Sequence, residues 1–174
     1  MEREKRQEWL DSIKHLPDKY KLRQAWINWI EQYKPDLWVT VTFAEYDTSG
    51  LAKNKFPVKN TEELVLKRFK QFLKHLNNKK FAFYGKFILC FLIIEKNPGR
   101  DGVHIHAVIK GIKPELASKL EQRCHDAFGE SRVVAFDFSK PYTAIDYIVD
   151  KFVFLRCDNL SFYRINSRYR SKNS

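Results

Sequence analysis

FYGKFILCFLIIEKNPGRDGVHIHAVIKG, Phe83 to Gly111, decides how the chain is read. Up to Lys96 it is an almost unbroken run of branched and aromatic residues, the pattern of a central strand in a sheet. The next six residues, Asn97 to Gly102, are dense in turn formers, and a second strand follows at once, so the two halves predict a β-hairpin. Alternate residues of a strand share a face. His104 and His106 therefore point one way and Val103, Ile105 and Ala107 the other, in a chain with only five histidines. Two imidazoles so placed have the spacing of a metal site, and equally that of a polar, partly exposed sheet face. If Glu95 pairs with His104, Ile93 falls opposite His106 and the Glu95 carboxylate joins both imidazoles on their face. A slip of one residue would undo that grouping.

Working outward, DLWVTVTFAEY (Asp36 to Tyr46) alternates Trp38, Thr40 and Thr42 with Leu37, Val39, Val41 and Phe43, which predicts a strand with one apolar and one semi-polar face. Before it, two helices are expected over Glu2 to His15 and Lys19 to Tyr33, broken at Leu16-Pro17-Asp18, the second burying Leu22, Trp26, Trp29, Ile30 and Tyr33. After a polar connection, Thr61 caps a helix with Glu62 and Glu63 in its first turn and a stripe of Val65, Phe69, Phe72, Leu73 and Leu76. Lys67, Lys70 and Lys74 give that helix a basic edge. Beyond the hairpin, KPELASKLEQRCHDAFG predicts a helix on Leu116, Leu120, Cys124 and Ala127, closed by Gly129. Ser131 to Phe138 reads as a strand, and PYTAIDYIVDKFVF as a helix opening at Pro141. The final YRINSRYRSKNS is expected to be poorly ordered, or ordered only on a partner. The order αα-β-α-ββ-α-β-α, with four clear strands, predicts an α+β fold: a mainly antiparallel sheet, helices segregated to one side and the other face open.

At 174 residues the chain suits a single domain with a sizeable core, and 44% apolar and 15% aromatic residues argue against disorder. It divides into a helical extension (1–34), a core (36–155) and a basic tail (156–174). Cys90, Cys124 and Cys157 are odd in number and far apart, which suits a reducing interior rather than a disulfide framework. With no long apolar segment and a charged N-terminus, the expectation is a soluble, cytoplasmic protein without a membrane partner. The formal net charge of +11 favours a polyanionic partner, nucleic acid first. Two blocks carry much of it. Between Lys53 and Lys80 the only acids are Glu62 and Glu63, and from Arg156 to Ser174 the only acid is Asp158.

The last helix adds a second constellation. Ile145, Ile148, Val149 and Phe152 form its apolar stripe, while Tyr147 and Lys151, four residues apart, fall together on the opposite side. An exposed amphipathic tyrosine is the plain reading; a tyrosine beside a lysine is also placed for chemistry.

In order along the chain, WVTVTF (Trp38 to Phe43), HIH (His104 to His106) and YIVDK (Tyr147 to Lys151) resemble the motifs of HUH endonucleases of the rolling-circle replication initiator (Rep) type. The resemblance implies a five-stranded antiparallel sheet with an RRM-like or ferredoxin-like core. The fifth strand would come from splitting Phe83 to Lys96 or from a segment read as loop. It implies a divalent metal, Mn²⁺ or Mg²⁺, on His104, His106 and a third ligand, with Glu95 first choice and Asp150 and Asp146 in reserve. Tyr147 would be the nucleophile that nicks single-stranded or hairpin origin DNA and keeps a 5′-phosphotyrosine link, Tyr142 the weaker candidate, and Lys151 a charge-compensating partner. Many members place this lysine three residues after the tyrosine; here it is four. Lys67, Lys70, Lys74, Arg100, Arg164, Arg168 and Arg170 are the candidate DNA contacts. No GxxxxGK[ST] loop is present, so unwinding is left to a host helicase and the replication machinery, or to a longer protein of which this is the nuclease part. A Y1-type HUH transposase and a non-catalytic RRM-like single-strand binder are the alternatives.

Overall fold

The computed structural model describes residues 17–47, 57–76, 87–97, 99, 101–154 and 161–166. The first expected helix, Glu2 to His15, lies outside them. Five strands form one sheet: β1 (Leu37–Phe43), β4 (Phe87–Lys96), β5 (Val103–Lys110), β6 (Ser131–Ala135) and β7 (Ser161–Asn166). A separate two-residue ladder joins β2 (Tyr46–Asp47) to β3 (Val58–Lys59). The helices are α1 (Asp18–Glu31), α2 (Glu62–Leu76), α3 (Ala117–Phe128) and α4 (Ala144–Phe154), with a short 3₁₀ turn at Pro114–Leu116. The sheet order is β6-β1-β5-β4-β7, every pair antiparallel. The stretch β1-α2-β4-β5-α3-β6, with β1 and β5 between β6 and β4, is a ferredoxin-like β-α-β-β-α-β unit. To it β7 is added outside β4.

The helices are not confined to one side. Leu37, Val39, Val41 and Phe43 of β1, Ile88, Cys90, Leu92 and Ile94 of β4 and Ile105, Ala107 and Ile109 of β5 pack under α2 and α3. The opposite residues, Leu89, Phe91, Ile93 and Val108, pack with Ile27 and Ile30 of α1 and Ile145, Ile148 and Val149 of α4. Cover on both faces is why β4 reads as a continuous apolar run. Among the described residues, only the β1–β6 half of the second face stays open, with Arg132 and Val134 exposed and Thr40 and Thr42 half-buried.

The fifth strand comes from the tail expected to be poorly ordered. Ser161 to Asn166 pairs with Phe87 to Leu92, burying Ile165 under α2 and α3 while Phe162 packs on Phe91, 4.7 Å between centroids. Apolar positions on both faces anchor a strand whose Arg164 suggests solvent. Smaller differences have local causes. Leu22 is 49% exposed because the buried side of α1 runs through Ile27 and Ile30. Ala127 is exposed, and Phe128 packs on the core in its place. Helix α4 opens not at Pro141 but after Thr143, whose hydroxyl accepts from the Ile145 and Asp146 amides at 3.2 and 3.4 Å. Asp146 in turn accepts from the Thr143 amide at 2.8 Å, a capping box with aspartate as its acid.

Candidate metal and nucleophile site

The β4–β5 register is Glu95↔His104 and Ile93↔His106, so the sequence pattern and the pleat put all three polar side chains on one face. Glu95 Oε2 lies 3.6 Å from His104 Nε2 and 3.5 Å from His106 Nε2. One ligand atom from each residue falls within 4.8 Å of the others, so the cluster could hold a metal ion. Among the described residues it is the only such group.

Both rings are oriented from behind. Asn97, buried in the hairpin, donates through Nδ2 to the Phe43 and Asp101 carbonyls at 3.0 and 3.2 Å. That fixes its Oδ1 as acceptor toward His104 Nδ1 at 3.2 Å. The network thus assigns the proton to Nδ1 and the lone pair to Nε2, the nitrogen turned to Glu95. Thr40 of β1, opposite His106 on β5, holds its Nδ1 at 3.1 Å, which leaves Nε2 turned to Glu95. Partners of this kind typically matter 10- to 100-fold to metal affinity. Gly102 makes room for the arrangement: at its φ of +107° a Cβ would lie 2.3 Å from the Phe43 carbonyl oxygen and 2.7 Å from Asn97 Nδ2.

Helix α4 brings Tyr147 and Lys151 to the same carboxylate. The Tyr147 hydroxyl donates to Glu95 Oε2 at 2.8 Å and Lys151 Nζ sits 2.7 Å from Glu95 Oε1. Tyr147 meets the His106 ring edge-on at 4.9 Å, and Trp38 stacks on the same His106 ring, 5.1 Å between centroids and tilted by 6°. Electrostatics follow from burial and these partners. Burial and the neighbouring His104 push His106 down to about 4, so its imidazole is neutral at pH 7 and suited to ligation. Burial would raise Glu95, but hydrogen bonds from Lys151 and Tyr147 outweigh it and hold the carboxyl below its ordinary range. Burial and then Glu95 raise Tyr147, which keeps its proton at neutral pH. The Glu95 hydrogen bond raises Lys151.

The reserve ligands are engaged elsewhere. Arg23 of α1 binds Asp150 through Nε and Asp146 through Nη2 at 3.0 Å. Tyr142 donates to Asp150 Oδ2 at 2.9 Å, and burial with that bond pushes it up to about 12. Tyr142 therefore points to the α1–α4 clamp, whereas Tyr147 meets the cluster. Of the basic candidates, Lys67, Lys70 and Lys74 lie on α2, behind the sheet, and the Lys70 ammonium sits 4.5 Å over Tyr163. Arg164 pairs with Leu89, six residues along β4 from Glu95 or about 20 Å at strand rise, and its guanidinium covers Phe87 at 4.6 Å. Arg100, Arg168 and Arg170 fall outside the described residues. Sequence reasoning did not single out Asn97, which reads as a turn residue, or Arg23, whose partners lie more than 120 positions away; Thr40 was visible only as part of an alternating strand.

No family model matches the chain, and no curated protein or solved structure matches it significantly. The functional reading rests on the chemistry of Glu95, His104, His106, Tyr147 and Lys151.

Proposed function

We propose that the protein is a metal-dependent HUH-type endonuclease that nicks and rejoins single-stranded DNA at a replication origin through a phosphotyrosine on Tyr147, initiating rolling-circle replication. One observation carries the reading: the Nε2 atoms of two histidines, a tyrosine hydroxyl and a lysine ammonium all converge on the Glu95 carboxylate. A sheet that only binds bases has no need of that convergence. Glu95, His104 and His106 fit a divalent cation by donor type, by the His104 tautomer and by the neutrality of His106, and would hold Mn²⁺ or Mg²⁺. Such an ion, when bound, supplies Lewis acidity at a non-bridging oxygen of the scissile phosphate.

The chain's own groups account for the rest. Tyr147 Oη attacks phosphorus, the Oη–P bond forms, and the P–O3′ bond breaks, leaving a 5′-phosphotyrosine and a 3′-oxygen that takes up a proton. The nearest acceptor for the tyrosine proton is Glu95 Oε2 at 2.8 Å. Lys151, 5.2 Å from the Tyr147 ring centre, opposes charge building on the phosphoryl oxygens. Attack by a 3′-hydroxyl on the phosphotyrosine reverses the sequence and rejoins the strand. Origin DNA, single-stranded or as a hairpin, is the substrate, with a helicase from the host as partner.

The test is a denaturing gel of the protein incubated with a random single-stranded DNA pool and Mn²⁺ or Mg²⁺. The wild type is expected to form a DNA-shifted band that chelator prevents. Tyr147→Phe should lose it, and His104→Ala should lose cleavage while retaining DNA binding. A wild type that binds the pool yet forms no adduct would favour the non-catalytic binding module.

A further inference from the structure

Beside the cluster, on the open half of the same face, the end of β6 and the approach to α4 enclose a cavity of about 270 Å³. Its walls include Trp38, Val134, Phe136, Tyr142 and Tyr147, with Lys140 at its polar side. Two of these residues connect it to the chemistry. Trp38 stacks on His106, and Tyr147, whose hydroxyl meets Glu95, also lines the cavity. The aromatic surface there is unusually uncovered: Tyr142 is 51% and Phe138, 4.5 Å from Phe136, is 50% exposed. One strand pair along, Arg132 is exposed opposite Thr40, the residue that holds His106.

We infer that this cavity is a nucleobase pocket: it takes one unstacked base of a nucleotide flanking the phosphate that Tyr147 attacks. The inference rests on DNA being the substrate, and adds where the strand lies and what reads it. An occupant of this cavity lies against Tyr147, so it belongs to the same or an adjoining nucleotide. Aromatic walls suit any base through its π-face. The volume lies just under the range of about 300–1,000 Å³ typical of drug-sized ligands, a size that admits a single flat base. Lys140, paired to Asp137 at 4.0 Å, puts a donor and an acceptor beside the rings, the means to prefer one base edge over another. The sugar-phosphate chain then runs over the β1–β6 half of the sheet with Arg132 beneath it, away from the α2 lysines.

Two measurements test this. With EDTA present, fluorescence anisotropy of a labelled random single-stranded pool should show Tyr142→Ala binding about tenfold more weakly than wild type, the loss of one stacking partner, with Tyr142→Phe restoring it. Equal binding by Tyr142→Ala, or equal weakening by Tyr142→Phe, would overturn the pocket. With Mn²⁺, sequencing the DNA left on the wild type should reveal a base preference at a position adjoining the linkage, and Tyr142→Ala should relax that position alone. A preference unchanged in the variant would also overturn it. If the wild type forms no adduct, the endonuclease reading fails, while the EDTA experiment still decides the pocket.

Discussion

At the scale of single residues, Glu95 is the hub, since four functional side chains address one carboxylate and each constrains the others. Its position was legible in part: strand alternation puts His104 and His106 on one face, and Glu95 joins them in the register that the structure has. Its companions Asn97 and Thr40 were not, because a hydrogen bond from behind a ring depends on the neighbouring strand and the turn's path. His106 gives a residue-scale prediction for the metal-free protein. Its pKa is near 4 when folded, against about 6.5 in an unfolded chain, so between those values the unfolded state binds more protons and stability falls as pH falls. The loss should approach about 3 kcal/mol by pH 4, with Glu95, also depressed, adding to it below its ordinary range. Urea unfolding in chelator between pH 7 and 4 should show that decline for wild type and a shallower one for His106→Gln. Parallel curves would mean that His106 is not held neutral by its surroundings.

At the scale of elements, α4 is set by α1. Asp146 and Asp150 immediately precede Tyr147 and Lys151, so the carboxylate pair held by Arg23 fixes the rotation of the helix that aims the nucleophile. The helix and its tyrosine–lysine pair were readable from i, i+4 spacing; the clamp was not, because an arginine on an amphipathic helix carries no mark of a distant partner. Arg23→Ala leaves two half-buried carboxylates without it and should cost about 1–3 kcal/mol in urea unfolding. Adduct formation should slow more than tenfold under conditions where the variant is still folded. Unchanged adduct rates in a destabilised variant would reduce Arg23 to a purely structural role. The same contrast explains β7. Its strand signal is short, and only the free edge of β4, with Phe91 awaiting Phe162, makes Ser161 to Asn166 a strand.

At the scale of the whole molecule, one face of the sheet is given to the core under α2 and α3, and the other is shared between α1, α4 and the site. The α+β order of elements was readable from the sequence, and the ferredoxin-like core only as what the resemblance implies; the side on which each helix packs was not readable, since an amphipathic stripe says that a helix is buried and not against which face. No helix among the described residues is long and apolar enough to cross a membrane. The positive charge is likewise divided: the α2 lysines lie behind the sheet, while Arg132, Lys140 and Lys151 flank the site. Replacing Lys67 and Lys74 together by alanine should therefore lower affinity for long DNA modestly and flatten its salt dependence, with adduct formation on short oligonucleotides within about twofold of wild type. A collapse of cleavage on short oligonucleotides would place the strand on the α2 side instead.

The most direct test of the account is to digest the protein–DNA adduct with nuclease and protease and locate the residual nucleotide by mass spectrometry. The mass should sit on the peptide containing Tyr147, as a phosphodiester to its hydroxyl, and be absent from Tyr147→Phe. A nucleotide found on Tyr142 or any other residue, or an adduct that persists in Tyr147→Phe, would contradict it.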